Sequence, residues 1–276
     1  MGDHDAEAAE EWSGVEYLSE IKGSGRYYLT RNVSLAGVSY GGAAVDNSGA
    51  FALYGGTIRG NTGDPAVSVS STGTFTMSGG SIASNTVTEG GVYLSAAGSV
   101  FQMSGGAITG NTAATYDGGV YIRNGAFTMS GGTIRGNSTA AYGGGVYNAG
   151  AFHLYDGGSI TGNTATNGGG GVCNVLSGGS MTVSGAVTIT GNTVNGKSDN
   201  LYLPYGKTIA ISGSLDQNTV IGVTPVPLPA EKSIAIAEGV SAADMARCFL
   251  DAGDADKYEF YVDGTTLKLK VNHTHD

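Results

Sequence analysis

The chain has 276 residues, and its 40% apolar content is enough for a continuous hydrophobic core, which argues against intrinsic disorder. Its 49 glycines occur with only 5 prolines and follow no Gly-X-Y period, so a collagen triple helix is excluded. The formal charge of −10, with only 13 lysines and arginines, disfavours binding to nucleic acid because phosphate binding needs a basic surface.

The first residues have the pattern of an amphipathic helix. Four apolar side chains recur there at helical spacing: Trp12, Val15, Leu18 and Ile21. Gly23 is suited to end such a helix. We therefore predict an α-helix over 6–22 within an N-terminal cap, residues 1–23, that covers the first turn of the structure that follows.

Residues 24–223 are dominated by a phrase that returns about every 26 residues. Phe75–Gly80 and Phe127–Gly132 both read FTMSGG, and each copy is followed by an isoleucine and an asparagine. The asparagines are Asn61, Asn85, Asn111, Asn137, Asn163 and Asn192. A fixed period of this size is typical of a solenoid, in which each repeat buries its apolar face only by stacking on its neighbours.

Each repeat contains three short apolar segments of period two, as where Val92 and Leu94 flank Tyr93. Such alternation predicts half-buried strands. Three strands that return every repeat form one coil, and like strands of stacked coils pair in parallel about 4.8 Å apart. The usual handedness of parallel crossovers predicts right-handed winding. The predicted fold is therefore all-β, a right-handed parallel β-helix of about seven three-strand coils.

The small residues of the repeat are expected at its corners. Glycine pairs such as Gly131-Gly132 fall between the first two strands, where a sharp corner requires positive φ or close approach of neighbouring coils. The asparagines recur at the next corner, and a side-chain amide there can bond the coils above and below. We therefore predict an asparagine ladder with a structural role.

Residues 224–276 are predicted to form a linker and a small α/β cap. Pro225, Pro227 and Pro229 are typical of a stiff linker. The predicted cap elements are a strand at Ser233–Ala237, a helix at Ser241–Ala252 with a capping box of Ser241 and Asp244, and a hairpin at Lys257–Val271 that turns at Asp263-Gly264.

Acidic residues gather at the two ends of the chain, seven of the 23 in residues 1–20 and eleven after residue 198. The repeats contain only Asp46, Asp64, Glu89, Asp117 and Asp156. This distribution indicates solvated caps rather than a binding field.

Nothing in the sequence predicts membrane insertion, a disulfide framework or a secretory signal. No stretch approaches the roughly 18 apolar residues of a membrane helix. Cys173 and Cys248 are too few for a disulfide framework. The polar start at Met1 and the abrupt end at Asp276 are typical of a segment of a longer protein, so further domains are expected.

With these strands and corners, the chain resembles the right-handed parallel β-helices of the pectin-lyase-like superfamily. Gly131–Ser138 and Gly143–Asn148 are similar to phrases of the glycine-rich repeat regions of bacterial cell-surface and adhesin-like proteins. Gly105–Ile108 resembles the GGxI repeat of polymorphic outer-membrane proteins, whose companion FxxN motif is not repeated here. The resemblance implies a secreted or cell-surface protein.

Many members of that superfamily act on polysaccharides, so an enzyme is one alternative. The resemblance implies that a lyase would need clustered acids with an Arg or Lys base, and that a polygalacturonase-like enzyme would need a paired-Asp motif with Gly-His-Gly. Neither pattern occurs in this sequence. His153, Tyr155 and Asp156 interrupt the repeat and form the alternative catalytic site. No catalytic residue, metal site or cofactor is predicted otherwise.

The third strand carries the main candidate for binding. Its outward position holds Tyr93, Tyr121, Tyr147, Cys173 and Tyr202 in successive coils, and Tyr116 and Tyr142 precede it in corner loops. Exposed aromatic rings at regular spacing can stack on sugars or anchor a protein. The same spacing also suits rings that stack only on one another and stiffen the shaft. Both interpretations remain open at this stage.

We therefore expect a non-enzymatic surface module, a rigid shaft that binds glycans or host surface proteins. A polysaccharide-active enzyme or its glycan-binding relative is the first alternative, and a purely structural spacer is the second. A threonine row beside the ladder, from Thr62 to Thr193, raises ice binding as a minor possibility.

Overall fold

The protein is described by a computed structural model that covers residues 22–23, 26–29, 33–34, 39–40, 43–175, 178–229, 233–251 and 255–272. The described residues form an all-β parallel solenoid of about eight turns with almost no helix, which confirms the predicted fold class. The predicted N-terminal helix over 6–22 lies outside the described residues, except for its last residue. That residue, Lys22, belongs to the strand Lys22–Gly23.

The first side of the solenoid is the phenylalanine face, a parallel sheet built from the FTM segments. Its solenoid strands are Arg26–Leu29, Ala50–Leu53, Thr74–Met77, Val100–Met103, Ala126–Met129, Ala151–Leu154, Ser180–Gly185 and Ile209–Leu215. Equivalent residues pair in register, as Phe75 does with Phe101 and Phe101 with Phe127. The alternation inward and outward is therefore the same in every turn.

The second side is the isoleucine face, in which six successive turns each bury one isoleucine. Its strands are Val33–Ser34, Thr57–Arg59, Ser81–Ala83, Ala107–Thr109, Thr133–Arg135, Ser159–Thr161 and Thr188–Thr190. The side chains from Ile58 to Ile189 in this column are fully buried.

A short threonine strand follows each ladder asparagine and was not predicted. These strands are Thr62–Gly63, Thr86–Val87, Thr112–Ala113, Ser138–Thr139, Thr164–Ala165 and Thr193–Val194. Ser39–Tyr40 extends this sheet at one end, and Lys197–Ser198 pairs antiparallel at the other. Each has two residues, which is too short for a period-two pattern to be recognised. Each turn therefore has four strands rather than three.

The last side is the tyrosine face. Its strands are Lys22–Gly23, Val45–Asn47, Val67–Val69, Val92–Leu94, Val120–Ile122, Val146–Asn148, Val172–Asn174 and Leu201–Pro204. In the strands from Val45–Asn47 to Val172–Asn174, the first and third side chains are buried, and the middle one lies on the opposite side of the sheet. This face positions the candidate binding residues.

A column of stacked phenylalanines lies in the core. Five rings, one per turn, have neighbouring centroids 4.5–5.2 Å apart, and each ring is at most 1% exposed: Phe51, Phe75, Phe101, Phe127 and Phe152. Met181 takes the same position in the next turn. Offset stacking at this spacing adds to the burial of each ring.

Glycines mark the corners where neighbouring turns approach closely. Gly132 has a φ of 81°, as the corner prediction required. A Cβ atom on Gly145 would lie 2.6 Å from the carbonyl oxygen of Gly171, so the turns at the start of the tyrosine face leave no space for a side chain.

The C-terminal residues close the solenoid with strands rather than with a separate unit. The strand Val220–Val226, which contains Pro225, pairs with both Thr188–Thr190 and Leu201–Pro204 and so joins two faces. Cys248–Leu250 pairs on top of it. The phenylalanine face continues through Ile234–Glu238.

The hairpin Tyr258–Asp263 and Thr266–Val271 ends the phenylalanine sheet and turns at Gly264, as predicted. A short 3-10 helix, Ala255–Lys257, precedes it. The helix with its Ser241–Asp244 capping box is present but covers only Ala242–Met245. It ends early because the following residues pair with the last turn, and this satisfies exposed backbone groups.

Candidate functional site

The structure places the predicted tyrosines in one row on the tyrosine face. Tyr93, Tyr121 and Tyr147 are direct partners in neighbouring strands, and the row continues through Cys173 to Tyr202. Ser68 and then Asp46 extend the row in the other direction.

Four of the rings pack together into what we call the tyrosine patch: Tyr93, Tyr116, Tyr121 and Tyr147. Tyr121 lies at its centre, stacked on Tyr93 and on Tyr116 with centroid distances of 5.0 Å, and meets Tyr147 edge-on at 5.3 Å. Tyr121 is consequently only 8% exposed. The row is therefore both a stacked ladder and, at its edges, an aromatic surface.

Two corner-loop tyrosines are the most exposed aromatic groups of this face. Tyr116 is 42% exposed and covers Tyr121, and Tyr142 is 38% exposed. Tyr142 meets Tyr202 edge-on at 6.1 Å, separately from the patch. A ligand approaching the solenoid from this side would first meet the ring of Tyr116.

Polar groups border the tyrosine patch. The Arg123 guanidinium donates a hydrogen bond to the Tyr93 hydroxyl at 3.2 Å. Glu89 is half-buried, and partial burial raises the pKa of its carboxyl while Arg123 opposes the shift and Asp64 adds to it. Desolvation also raises the pKa of Tyr121 and Tyr147, so these hydroxyls stay protonated.

Asp117, which directly follows Tyr116 in the chain, is the functional candidate that the sequence did not reveal. Its side chain is fully buried, and neither carboxylate oxygen has a hydrogen-bond partner of normal geometry. Burial raises the pKa of Asp117 well above its usual range, and its own backbone N–H opposes this shift while Glu89 increases it. A loop aspartate is ordinarily solvated, so no sequence signal indicated this environment.

Replacing Asp117 by Asn should change how stability depends on pH. Below the unfolded-state pKa of about 3.9, Asp117 is protonated in both states, so its burial carries no penalty for a buried charge. As pH rises from there through the raised folded-state pKa, the unfolded chain ionises first and the natural protein loses stability. Asp117→Asn cannot ionise, so its stability relative to the natural protein should increase from about pH 4 towards neutrality. Urea unfolding midpoints across this range would measure the effect.

Asp156→Asn is the matched control, because Asp156 is exposed and Asn keeps the oxygen that accepts from the Ala186 N–H. Its curve is the reference for exchanging an exposed carboxylate for an amide. A curve for Asp117→Asn with the same shape as this reference would contradict the burial of the Asp117 acid.

The predicted asparagine ladder is confirmed and is entirely buried. In the central rungs, each asparagine donates from both its backbone N–H and its Nδ2 to the Oδ1 of the next rung at 2.8–3.1 Å. The rungs continue from Asn192 to Asn200, whose side chain and backbone donate to Asp251. A second, shorter pair, Asn148 and Asn174, lies on the tyrosine face and was not predicted.

The structure brings together two of the three residues of the alternative catalytic site. His153 and Tyr155 stack with a centroid distance of 6.0 Å on the phenylalanine face, where His153 lies between Thr128 and Thr182. Asp156 is exposed and accepts a hydrogen bond from the backbone N–H of Ala186. None of the hydrogen bonds of the described residues links these three side chains.

Cys173 and Asp199 are two further buried titratable groups of the described chain. Burial raises the pKa of the Cys173 thiol to about 12, and the pKa of Asp199 to about 6. Across the described ranges, no three histidine, cysteine, aspartate or glutamate side chains converge in a way that would hold a metal ion.

Comparison with known proteins adds no assignment, since no family model, curated protein or solved structure matches the chain. Within the part of the chain that the structure describes, no helix has the length and apolar character needed to span a membrane.

Proposed function

We propose that the protein is a non-enzymatic module of a bacterial surface or secreted protein, a rigid β-helical shaft related to the pectin-lyase-like superfamily. Its binding surface is the tyrosine patch, which recognises glycans or host surface proteins in an adhesin-like way. The observation that carries this proposal is the aromatic surface itself, four packed rings that form one cluster on the tyrosine face.

The chemistry of the patch supports binding. Tyr116 presents an exposed ring face held by its contact with Tyr121, so little side-chain entropy is lost when a ligand stacks on it. Arg123 and Glu89 at the border provide hydrogen-bonding groups beside the aromatic plane. A flat ring with bordering polar groups is suited to a sugar or to a protein side chain.

Tyr116→Ser should remove ligand binding while it lowers stability only modestly. The ring of Tyr116 is largely outside the core, and each lost ring contact should cost about 0.5–1.5 kcal/mol. The measurement is a screen of glycan and host-protein arrays, together with the melting temperature of the same variant.

Tyr205→Ser is the control for this test, because Tyr205 is 66% exposed and lies beyond the patch at the end of Leu201–Pro204. Unchanged array binding by Tyr116→Ser would contradict the proposal and favour the spacer alternative. Release of reducing ends from an array glycan would instead favour the polysaccharide-active enzyme.

A further inference from the structure

Acidic side chains collect on one edge of the tyrosine face. Asp64, Glu89 and Asp117 each lie three residues before the first valine of consecutive strands of this face, and those valines pair in register. We call Asp64, Glu89 and Asp117 the acidic edge. It contains three of the five carboxylates between residues 43 and 198. The exposed Asp46 lies apart from the edge, in the tyrosine row opposite Ser68.

The acidic edge is electrostatically unfavourable in the protein alone. The negative charge of Asp64 raises the pKa of Glu89, and that of Glu89 raises the pKa of Asp117. The positive charge of Arg123 opposes the shift at Glu89. Like charges on successive turns, about 4.8 Å apart, repel most where burial removes water. Such an arrangement is relieved when a cation binds.

Asp117 provides a second and independent indication. Its fully buried carboxylate lies beside Gly90, where a Cβ atom would be 2.8 Å from Oδ1, and so faces the turn of Glu89. Neither of its oxygens has a donor of normal geometry. An acid without donors gains more from a nearby positive charge than a solvated one does, because the protein interior screens charge weakly.

We propose that the tyrosine patch and the acidic edge together bind a lysine-rich extended segment of a second protein. This inference rests on the proposed function of the patch and specifies its partner. The exposed ring of Tyr116 can accept an ammonium group by a cation–π contact, and the partly exposed carboxylates of Asp64 and Glu89 pair with the next cations. The buried Asp117 strengthens the negative potential beside them without direct contact.

The geometry favours an extended cationic chain over a single ion or a neutral ligand. The acidic edge is spread over three turns, about 10 Å at about 4.8 Å per turn, whereas a metal ion needs ligands that converge. Side chains on one side of an extended peptide lie about 6.8 Å apart, so about two lysines fit this length.

The test uses the full chain and a fluorescein-labelled peptide of alternating lysine and glycine, with a glutamate–glycine peptide as the matched negative. Binding is measured by fluorescence anisotropy at increasing salt. The affinity should fall as salt screens the charges. Glu89→Gln and Asp64→Asn should each weaken binding by about threefold, and Tyr116→Ser by a similar factor.

Arg123→Gln gives the sharpest result, because it removes a competing cation and should tighten binding by about twofold or more. If Arg123 only holds the Tyr93 ring in place, Arg123→Gln would weaken binding or leave it unchanged. Glu238→Gln, a change in an exposed side chain of the terminal strand Ile234–Glu238, is the charge-matched control and should have no effect.

The outcomes separate this inference from the proposed function. Peptide binding that responds to these variants as stated supports it. No peptide binding, or binding insensitive to Glu89→Gln and Arg123→Gln, overturns it. If a neutral glycan binds and Tyr116→Ser alone abolishes that binding, the inference is wrong while the proposed function stands. If Tyr116→Ser affects neither ligand, both are wrong.

Discussion

Phe101→Ala should lower the free energy of unfolding by about 3–5 kcal/mol, the largest effect expected for a single substitution in this chain. Phe101 is fully buried and stacks between Phe75 and Phe127, with centroid distances of 4.6 and 4.5 Å. Truncation removes both contacts and leaves a cavity between parallel turns that are fixed by their backbone hydrogen bonds. Urea unfolding followed by circular dichroism would measure the change.

Phe152→Met is the matched control for this substitution. The next turn already places Met181 in the same column, directly paired with Phe152, so the geometry of the repeat accommodates a methionine there. The cost should stay below about 1.5 kcal/mol, as for other swaps of similar volume. Equal costs for Phe152→Met and Phe101→Ala would mean that the stacked column does not stabilise the core as described.

Asn111→Ala should cost about 2–4 kcal/mol, since each buried polar group that loses its partner costs about 1–3 kcal/mol. The Oδ1 of Asn111 accepts from the backbone N–H and the Nδ2 of Asn85. Its Nδ2 donates to the Ile82 carbonyl and to Asn137. The substitution leaves the Asn85 backbone N–H unpaired in the core, and thermal or urea unfolding would measure the loss.

The neighbouring substitution Thr112→Ala tests whether this effect belongs to the ladder. The Thr112 hydroxyl is exposed and contacts only the Ser138 hydroxyl at 3.1 Å among its described hydrogen bonds, so the cost should be within about 0.5 kcal/mol. A small cost for Asn111→Ala, similar to that of Thr112→Ala, would show that water or backbone shifts replace the lost rung.

The repeat made most of the fold predictable. Register follows from period, because Phe75, Phe101 and Phe127 occur at equal spacing and each must bury the same side. Two parts were not predictable from pattern. The threonine strands are too short to show alternation, and Cys248–Leu250 forms a strand where a helix was predicted, because the last turn offers it backbone partners.

The candidate site was predictable in position but not in environment. Sequence spacing placed Tyr93, Tyr121 and Tyr147 in one row. It did not show that Tyr116 folds over Tyr121, because that depends on the conformation of the loop between Asn111 and Val120. The burial of Asp117 has the same origin, because a count of charges along the chain does not show which of them the loops enclose.

The asparagine ladder also has a polarity. From Asn85 onward, each side-chain amide donates to the Oδ1 of the next rung towards the C-terminal end, and its Nδ2 also donates back to an isoleucine carbonyl. The series finishes at a carboxylate, Asp251, which accepts from Asn200. The two ends of the series are therefore chemically different, whereas every internal rung is equivalent. A duplicated turn inserted between Asn111 and Asn137 would find an acceptor on one side and donors on the other. Unequal recombination can therefore add or remove whole turns without changing either end of the ladder. The number of turns can change in evolution while the hydrogen-bonding groups at the two ends of the ladder stay the same.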